Sequence, residues 1–248
     1  MPSCLCCAGP HGRRAFHRGL LSAAAVAVLA GSRPRSARAA DPVPHTNLTG
    51  DQALQVLKDG NDAFRADKPR AAADMATTSH QRRIELARGQ APFCVLVGCS
   101  DSRVPPEVLF GRGLGELFIV RNAGNTVDTA ALGSIEYGVG VLGVPLVVVL
   151  GHESCGAVSA AVDMVEKDAT FPGVIGEMVQ PIVPAVLSVR NQGGSLLDNA
   201  VRANARRVAI RLKTQSQVIK EALNAGKVKI VAARYGLQEG DVTWMEDV

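Results

Sequence analysis

Two uninterrupted apolar runs decide what this chain can fold into. Phe93 to Gly98 (FCVLVG) and Pro145 to Leu150 (PLVVVL) show none of the apolar–polar alternation of a strand with one wet face. Strands of this kind must be covered on both sides, which is the condition of a parallel sheet buried between helices. Leu117 to Arg121 and Lys227 to Tyr235 read as two further strands, and Val242 to Met245 as a possible edge strand. Between them, helical spacing predicts helices at Asp51 to Phe64, Met75 to Arg88, Ala130 to Val141, 156–166, 174–190 and 195–225, the last interrupted near Lys213 to Ser216. The expected fold is α/β, with a mostly parallel central sheet of four strands plus a possible C-terminal edge strand, flanked by helices. One domain from 51 to 248 accounts for the pattern, which contains no internal repeat, and Pro42 and Pro44 mark 41–50 as an extended linker before it.

The first forty residues have a different character. Arg13, Arg14 and Arg18 precede an apolar stretch from Leu20 to Ala30, and Ala37-Arg38-Ala39 offers small residues for cleavage. Twin arginines followed by Phe16 resemble a twin-arginine export signal, so the expectation is a cleaved signal over 1–40 and a periplasmic or exported mature protein. The apolar stretch falls short of the ~20 residues that cross a bilayer, which argues against a stable membrane span. This segment holds six arginines and no acid, so without it 21 basic residues face 23 acidic ones and the formal charge moves from +4 to −2. The basicity belongs to the leader, and a nucleic-acid partner is not expected.

Cysteine usage narrows the chemistry. Cys4, Cys6 and Cys7 leave with the leader, and the remaining Cys94, Cys99 and Cys155 are an odd set that makes a poor disulfide framework. Cys94 lies inside an apolar run and reads as a small core residue. Cys99 follows one buried strand, and His152 and Cys155 follow the other at H-x-x-C spacing. Ligands gather at the carboxyl ends of parallel strands, so two thiolates and one imidazole can meet there. That set suits one Zn²⁺ per chain, with a fourth tetrahedral position left open for a water whose pKa the ion lowers. Asp101 and Arg103 alternate along the segment after Cys99, placing an ionised acceptor beside the metal; Asp101 could also close the shell as a fourth ligand.

With C-x-D-x-R and H-x-x-C both at strand ends, the chain resembles the β-class carbonic anhydrases from about residue 51 to 245. GELFIVRNAGN (115–125), GSIEYGVGVLGVPLVVVLGHESCGAV (133–158) and IVAARYGLQEGDV (230–242) follow that family in order and spacing. The resemblance implies zinc at Cys99, His152 and Cys155, an Asp101–Arg103 dyad, and reversible hydration of carbon dioxide to bicarbonate and a proton by a zinc-bound hydroxide. It also implies a homodimer or dimer of dimers and a substrate pocket that includes Gln90, Phe118, Ala123 and Tyr137, partly across the dimer interface. On residue type alone, Gln90 is a loop glutamine before a strand, and the other three are core apolar residues. Some members carry a separate bicarbonate pocket built with a tryptophan. The lone Trp244 near the C-terminus of this chain favours the plain open-site form.

Other readings of the same residues are a hydrolase of carbon disulfide or carbonyl sulfide on this scaffold and a non-catalytic zinc or bicarbonate-binding protein. A redox protein is disfavoured by the lack of C-x-x-C beyond the leader. His80 is either a proton shuttle or a solvated histidine on a surface helix.

Overall fold

The computed structural model describes residues 44–68 and 76–248. The proposed leader and cleavage site, together with Met75 at the start of the second expected helix, lie outside the described residues. At the start of the described chain, His45 hydrogen-bonds through Nδ1 to the Leu142 carbonyl at 2.8 Å, so the extended approach is tied to the body. Helix α1 (Gly50–Arg65) then begins at a capping box, in which Thr49 and Gln52 satisfy each other's backbone N–H.

Helix α2 (His80–Leu86) is preceded by a separate 3₁₀ turn at Ala76–Thr78. One continuous helix had been expected here. The break falls at Ser79, whose hydroxyl caps Arg82 N–H in an extended conformation. The chain continues through β1 (Cys94–Gly98), the short α3 (Pro106–Leu109), β2 (Leu117–Arg121), a 3₁₀ turn at Ala123–Asn125, α4 (Thr129–Gly140) and β3 (Leu146–His152). Helix α5 (Gly156–Lys167) follows. The single helix expected over 174–190 is three pieces: α6 (Ile175–Val179), a 3₁₀ turn at Gln180–Ile182 and α7 (Val183–Val189). Pro181 and Pro184 explain the division, since neither has an N–H for an interior helical bond. The expected interruption of the next helix is present, with Ser216 ending α8 (Leu196–Gln215) and capping α9 (Gln217–Asn224). The chain closes with β4 (Lys229–Tyr235) and β5 (Val242–Met245).

The strands form one sheet in the order β2-β1-β3-β4-β5, parallel except for β5, which runs antiparallel at the edge. Alternation along the strands sorts the core onto two faces. Val95, Val97, Val147, Val149 and Ile230 meet residues of α4, α8 and α9, while Cys94, Leu96, Leu146, Val148 and Val231 meet α1 and α3. Both faces are covered, which accounts for the unbroken apolar runs. Burial of each such side chain contributes about 1.5–3 kcal/mol. A third cluster, from α5, α7 and the start of α8, packs around Cys99 and Cys155 and closes the carboxyl end of the sheet.

Candidate metal centre

From β1 the chain leaves for β2 on one side of the sheet, and from β3 it reaches β4 on the other. The switch point therefore lies between β1 and β3, and a crevice opens there at the carboxyl ends of the strands. Cys99 follows the last residue of β1, His152 is the last residue of β3, and Cys155 sits at the N-cap of α5. Their ligand atoms lie within 4.8 Å of one another, and all three residues are buried.

Several observations make this cluster fit a metal. The two sulfurs are 4.0 Å apart, close to the edge of about 3.8 Å in a tetrahedron with 2.3 Å zinc–sulfur bonds. His152 donates Nδ1–H to the Glu153 carbonyl at 2.9 Å, which leaves Nε2 as the bare nitrogen. That Nε2 is buried without a hydrogen-bond partner, an expensive arrangement unless an acceptor of its lone pair sits nearby. The Cys155 thiol stabilises a thiolate at Cys99, which the Gly124 N–H also favours against the cost of burial, so Cys99 ionises well below an ordinary thiol. The hydrogen bond to Cys99, together with burial, pushes Cys155 up. Cys94 stands apart on the α1 side of the sheet, its thiol pushed up by burial, as a core residue should be.

Asp101 and Arg103 form a forked pair at the rim. Arg103 donates its backbone N–H and Nε–H to Asp101 Oδ1, each at 2.9 Å, and Nη2 to Oδ2 at 2.7 Å. The Arg103 bonds hold the Asp101 carboxyl well below the usual carboxylate range, outweighing its partial burial. Oδ2 lies 3.9 Å from His152 Nε2, so the ionised carboxylate faces the cluster. Arg103 also reaches the Ser154 carbonyl at 3.3 Å, linking the two motifs; Ser154 has φ +52°, and the left-handed turn lies inside H-x-x-C.

The other expected pocket residues divide. Ala123 is half-buried in the turn beside the cluster, next to Gly124, whose N–H points at Cys99 Sγ from 3.2 Å. Gln90 is exposed on the loop entering β1, at the end of the strand opposite Cys99. Phe118 pairs in register with Val95 near the start of β1, and its ring centroid lies 6.2 Å from that of Tyr137. Phe118 is only half-buried and Tyr137 is 47% exposed, so the reading of both as core residues is corrected. The reason is topological: β2 is an edge of the sheet, with a single neighbouring strand, and Phe118 packs only at the margin of the core formed with α4. His80 opens α2 and is exposed beside Arg83.

Three contributors were missed in the sequence. Gly124, at φ +65°, turns its N–H onto Cys99; Asn204 on α8 is buried and donates to the Gly124 carbonyl at 2.8 Å; Glu153 accepts Leu237 N–H on its carboxylate at 2.9 Å. A polar residue on an otherwise buried stripe of α8 was the available clue to Asn204.

The carbonic anhydrase family profile matches residues 94–242. Carbonic anhydrase 2 of Mycobacterium tuberculosis (strain H37Rv) is 42% identical over 199 residues, covering 80% of this chain and 93% of the relative. Among solved structures, the β-carbonic anhydrase CcaA superposes with a TM-score of 0.60 at 26% identity, covering 77% of this chain and 86% of that one. This chain belongs to the β-carbonic anhydrase family. The carbonic anhydrase of Mycolicibacterium smegmatis is 40% identical over 81% of the chain and 94% of its own length. The Coccomyxa β-carbonic anhydrase solved with acetazolamide gives a TM-score of 0.59 at 26% identity, covering 77% of this chain and 85% of that one. The profile's span, from β1 to the start of β5, takes in the whole Cys-His-Cys cluster and the Asp101–Arg103 pair of this β-carbonic anhydrase.

Proposed function

We propose that this enzyme hydrates carbon dioxide reversibly to bicarbonate and a proton, with one zinc ion held by Cys99, His152 and Cys155. The observation that carries the reading is the bare, buried Nε2 of His152, set among two cysteine sulfurs and faced by an ionised carboxylate. Zinc bound there would supply Lewis acidity that brings the ionisation of a water toward neutral pH. The chain's own groups do the orienting. Arg103 occupies both oxygens of Asp101 and keeps the carboxylate ionised. The remaining Oδ2 lone pair accepts one hydrogen of a water in the crevice, which turns the oxygen's lone pair toward the carbon of carbon dioxide. Val158, Val179, Ile182 and Val201 surround the cysteines with apolar side chains, a lining suited to an uncharged substrate.

Two further parts of the reading concern the chain's setting. Phe118 and Tyr137 lie away from the cluster of their own chain along the sheet edge formed by β2, and Gln90 lies on the loop entering β1 at the far end of that strand. We assign that edge to a homodimer or a dimer of dimers, in which they would line the neighbouring subunit's pocket. The leader over 1–40 is assigned to twin-arginine export with a mature start near Ala40. Metal analysis and stopped-flow carbon dioxide hydration on the mature protein test the central reading. About one zinc per chain, lost together with hydration in Cys99→Ser and in Cys155→Ser, is the expected result. Stoichiometric zinc in both variants sinks the ligand assignment, and a zinc-loaded protein inert toward carbon dioxide sinks the reaction.

A further inference from the structure

Asp101 has to stand at a fixed place relative to the cluster, yet its obvious partner cannot fix it there. Arg103 is only two residues along the same loop, is exposed over half its side chain and moves wherever the loop moves. What ties the loop to the sheet comes from a different strand. Arg121 ends β2, paired in register with Gly98 at the end of β1. The ladder of the two strands finishes with Asn122 N–H donating to the Gly98 carbonyl at 3.2 Å. Past that point the half-buried Arg121 side chain takes over: Nε–H donates to the Cys99 carbonyl at 2.7 Å and Nη2 to the Asp101 carbonyl at 2.6 Å.

We propose that Arg121 is a positioning residue of the site, its guanidinium fork extending the β1–β2 pairing by two carbonyls and thereby setting where the Asp101 carboxylate stands. The two carbonyls do not depend on it equally. Cys99 directly follows Gly98, which is paired on both sides, and its sulfur has the Gly124 N–H as a separate anchor. Asp101 is two residues further out. Its carbonyl also accepts Val104 N–H from its own loop, and past Asp101 the loop is held by the buried Val104 side chain and by the long Arg103 bond to the Ser154 carbonyl, neither of which reaches back to the end of β1. Removing the fork therefore leaves the metal ligands in place and releases Asp101. Lysine cannot substitute, because a single ammonium lacks the planar fork that spans two acceptors.

The inference rests on the zinc reading above, and its test keeps the two apart. Zinc content, kcat per bound zinc and KM are measured for the parent, Arg121→Lys and Arg121→Gln, and thiocyanate is titrated into the cobalt-substituted forms by visible absorption. Arg82→Lys serves as the control, since it removes a guanidinium bridge to the Leu114 carbonyl from the surface. Both Arg121 variants should keep about one zinc per chain. Their kcat per zinc should fall about 10- to 100-fold, the scale of a displaced catalytic group, with KM little changed. Thiocyanate affinity should fall with it as the freed carboxylate competes for the open position, while the control stays at parent values. Parent-like kcat and thiocyanate affinity in Arg121→Lys overturn the inference. So does loss of zinc, which would assign the fork to Cys99, and so does failure of both variants to fold, which would assign it to the fold. A parent without zinc or hydration fails the reading of the site instead.

Discussion

Placing a methyl group on Gly124 tests whether the backbone around the cysteines is as tightly determined as its geometry implies. The residue has φ +65°, and an added Cβ would stand 2.6 Å from Ile182 Cδ1 and 3.0 Å from Ala157 Cβ. The left-handed conformation costs an alanine about 1–2 kcal/mol. Forcing a methyl into the packed cluster costs about 1–3 kcal/mol more. Gly124→Ala should thus lose about 2–5 kcal/mol, which for a domain of this size lowers Tm by roughly 4–20 °C. Because the same residue donates its N–H to Cys99 Sγ, zinc should also be released sooner to a chelator. Ile182→Val supplies the decisive comparison by deleting the clashing Cδ1, at a cost of about 0.5–1.5 kcal/mol on its own. In the double variant the clash is relieved and the strain of φ remains, so the pair should be less destabilised than the sum by about 1–2 kcal/mol. Thermal unfolding is compared at one fixed zinc concentration, since bound metal raises apparent stability. A Gly124→Ala protein within about 0.5 kcal/mol of the parent, or strict additivity in the cycle, refutes the packing argument.

The remaining predictions concern the acid–base pair and export. Arg103→Ala should retain zinc and abolish hydration, because the unrestrained carboxylate then competes for the open position; near-parent turnover reduces the pair to a salt bridge. Asp101→Ala should retain zinc and keep a residual activity that rises with pH, a profile measured by stopped flow from mildly acidic to basic conditions. The folded pKa of Asp101 is lowered, so the stability it adds is present above the unfolded value of about 3.9 and is lost as pH falls through the folded one. The Tm difference between parent and Asp101→Asn should accordingly hold constant from about pH 8 to pH 5 and shrink only below about pH 4, and a difference that vanishes above pH 5 contradicts the pairing. Replacing Arg13 and Arg14 together with lysine should leave precursor inside the cell, as cell fractionation would reveal.

What could be read from the sequence follows from where side-chain identity carries information. The strands were legible because burial on both faces demands runs such as LVVVL, and the clustering of Cys99, His152 and Cys155 because the ends of such runs converge at the carboxyl edge of the sheet. Helix breaks at Pro181 and Ser79 were written in residue type as well, and a closer weighing of missing N–H groups and competing hydroxyls would have divided both helices. Only the core reading of Phe118 and Tyr137 failed, because residue type says that an aromatic ring favours burial and not whether the local fold provides it. The least legible layer is the one that orients the ligands. It is made of backbone groups, namely the Gly124 N–H on Cys99, the Glu153 carbonyl on His152 and the carbonyls of Cys99 and Asp101 on Arg121. Every residue type offers those groups, so spacing and composition cannot single them out. Such a layer exists only once the sheet order is set, because Arg121 meets Cys99 solely through the register of β2 on β1, and Asn204 meets Gly124 solely because α8 crosses the end of the sheet. The Cys-His-Cys cluster can thus be named from sequence while the groups that orient it have to be found in the fold, and on the proposed zinc reading variants of the orienting layer should separate metal retention from turnover where variants of the cluster cannot.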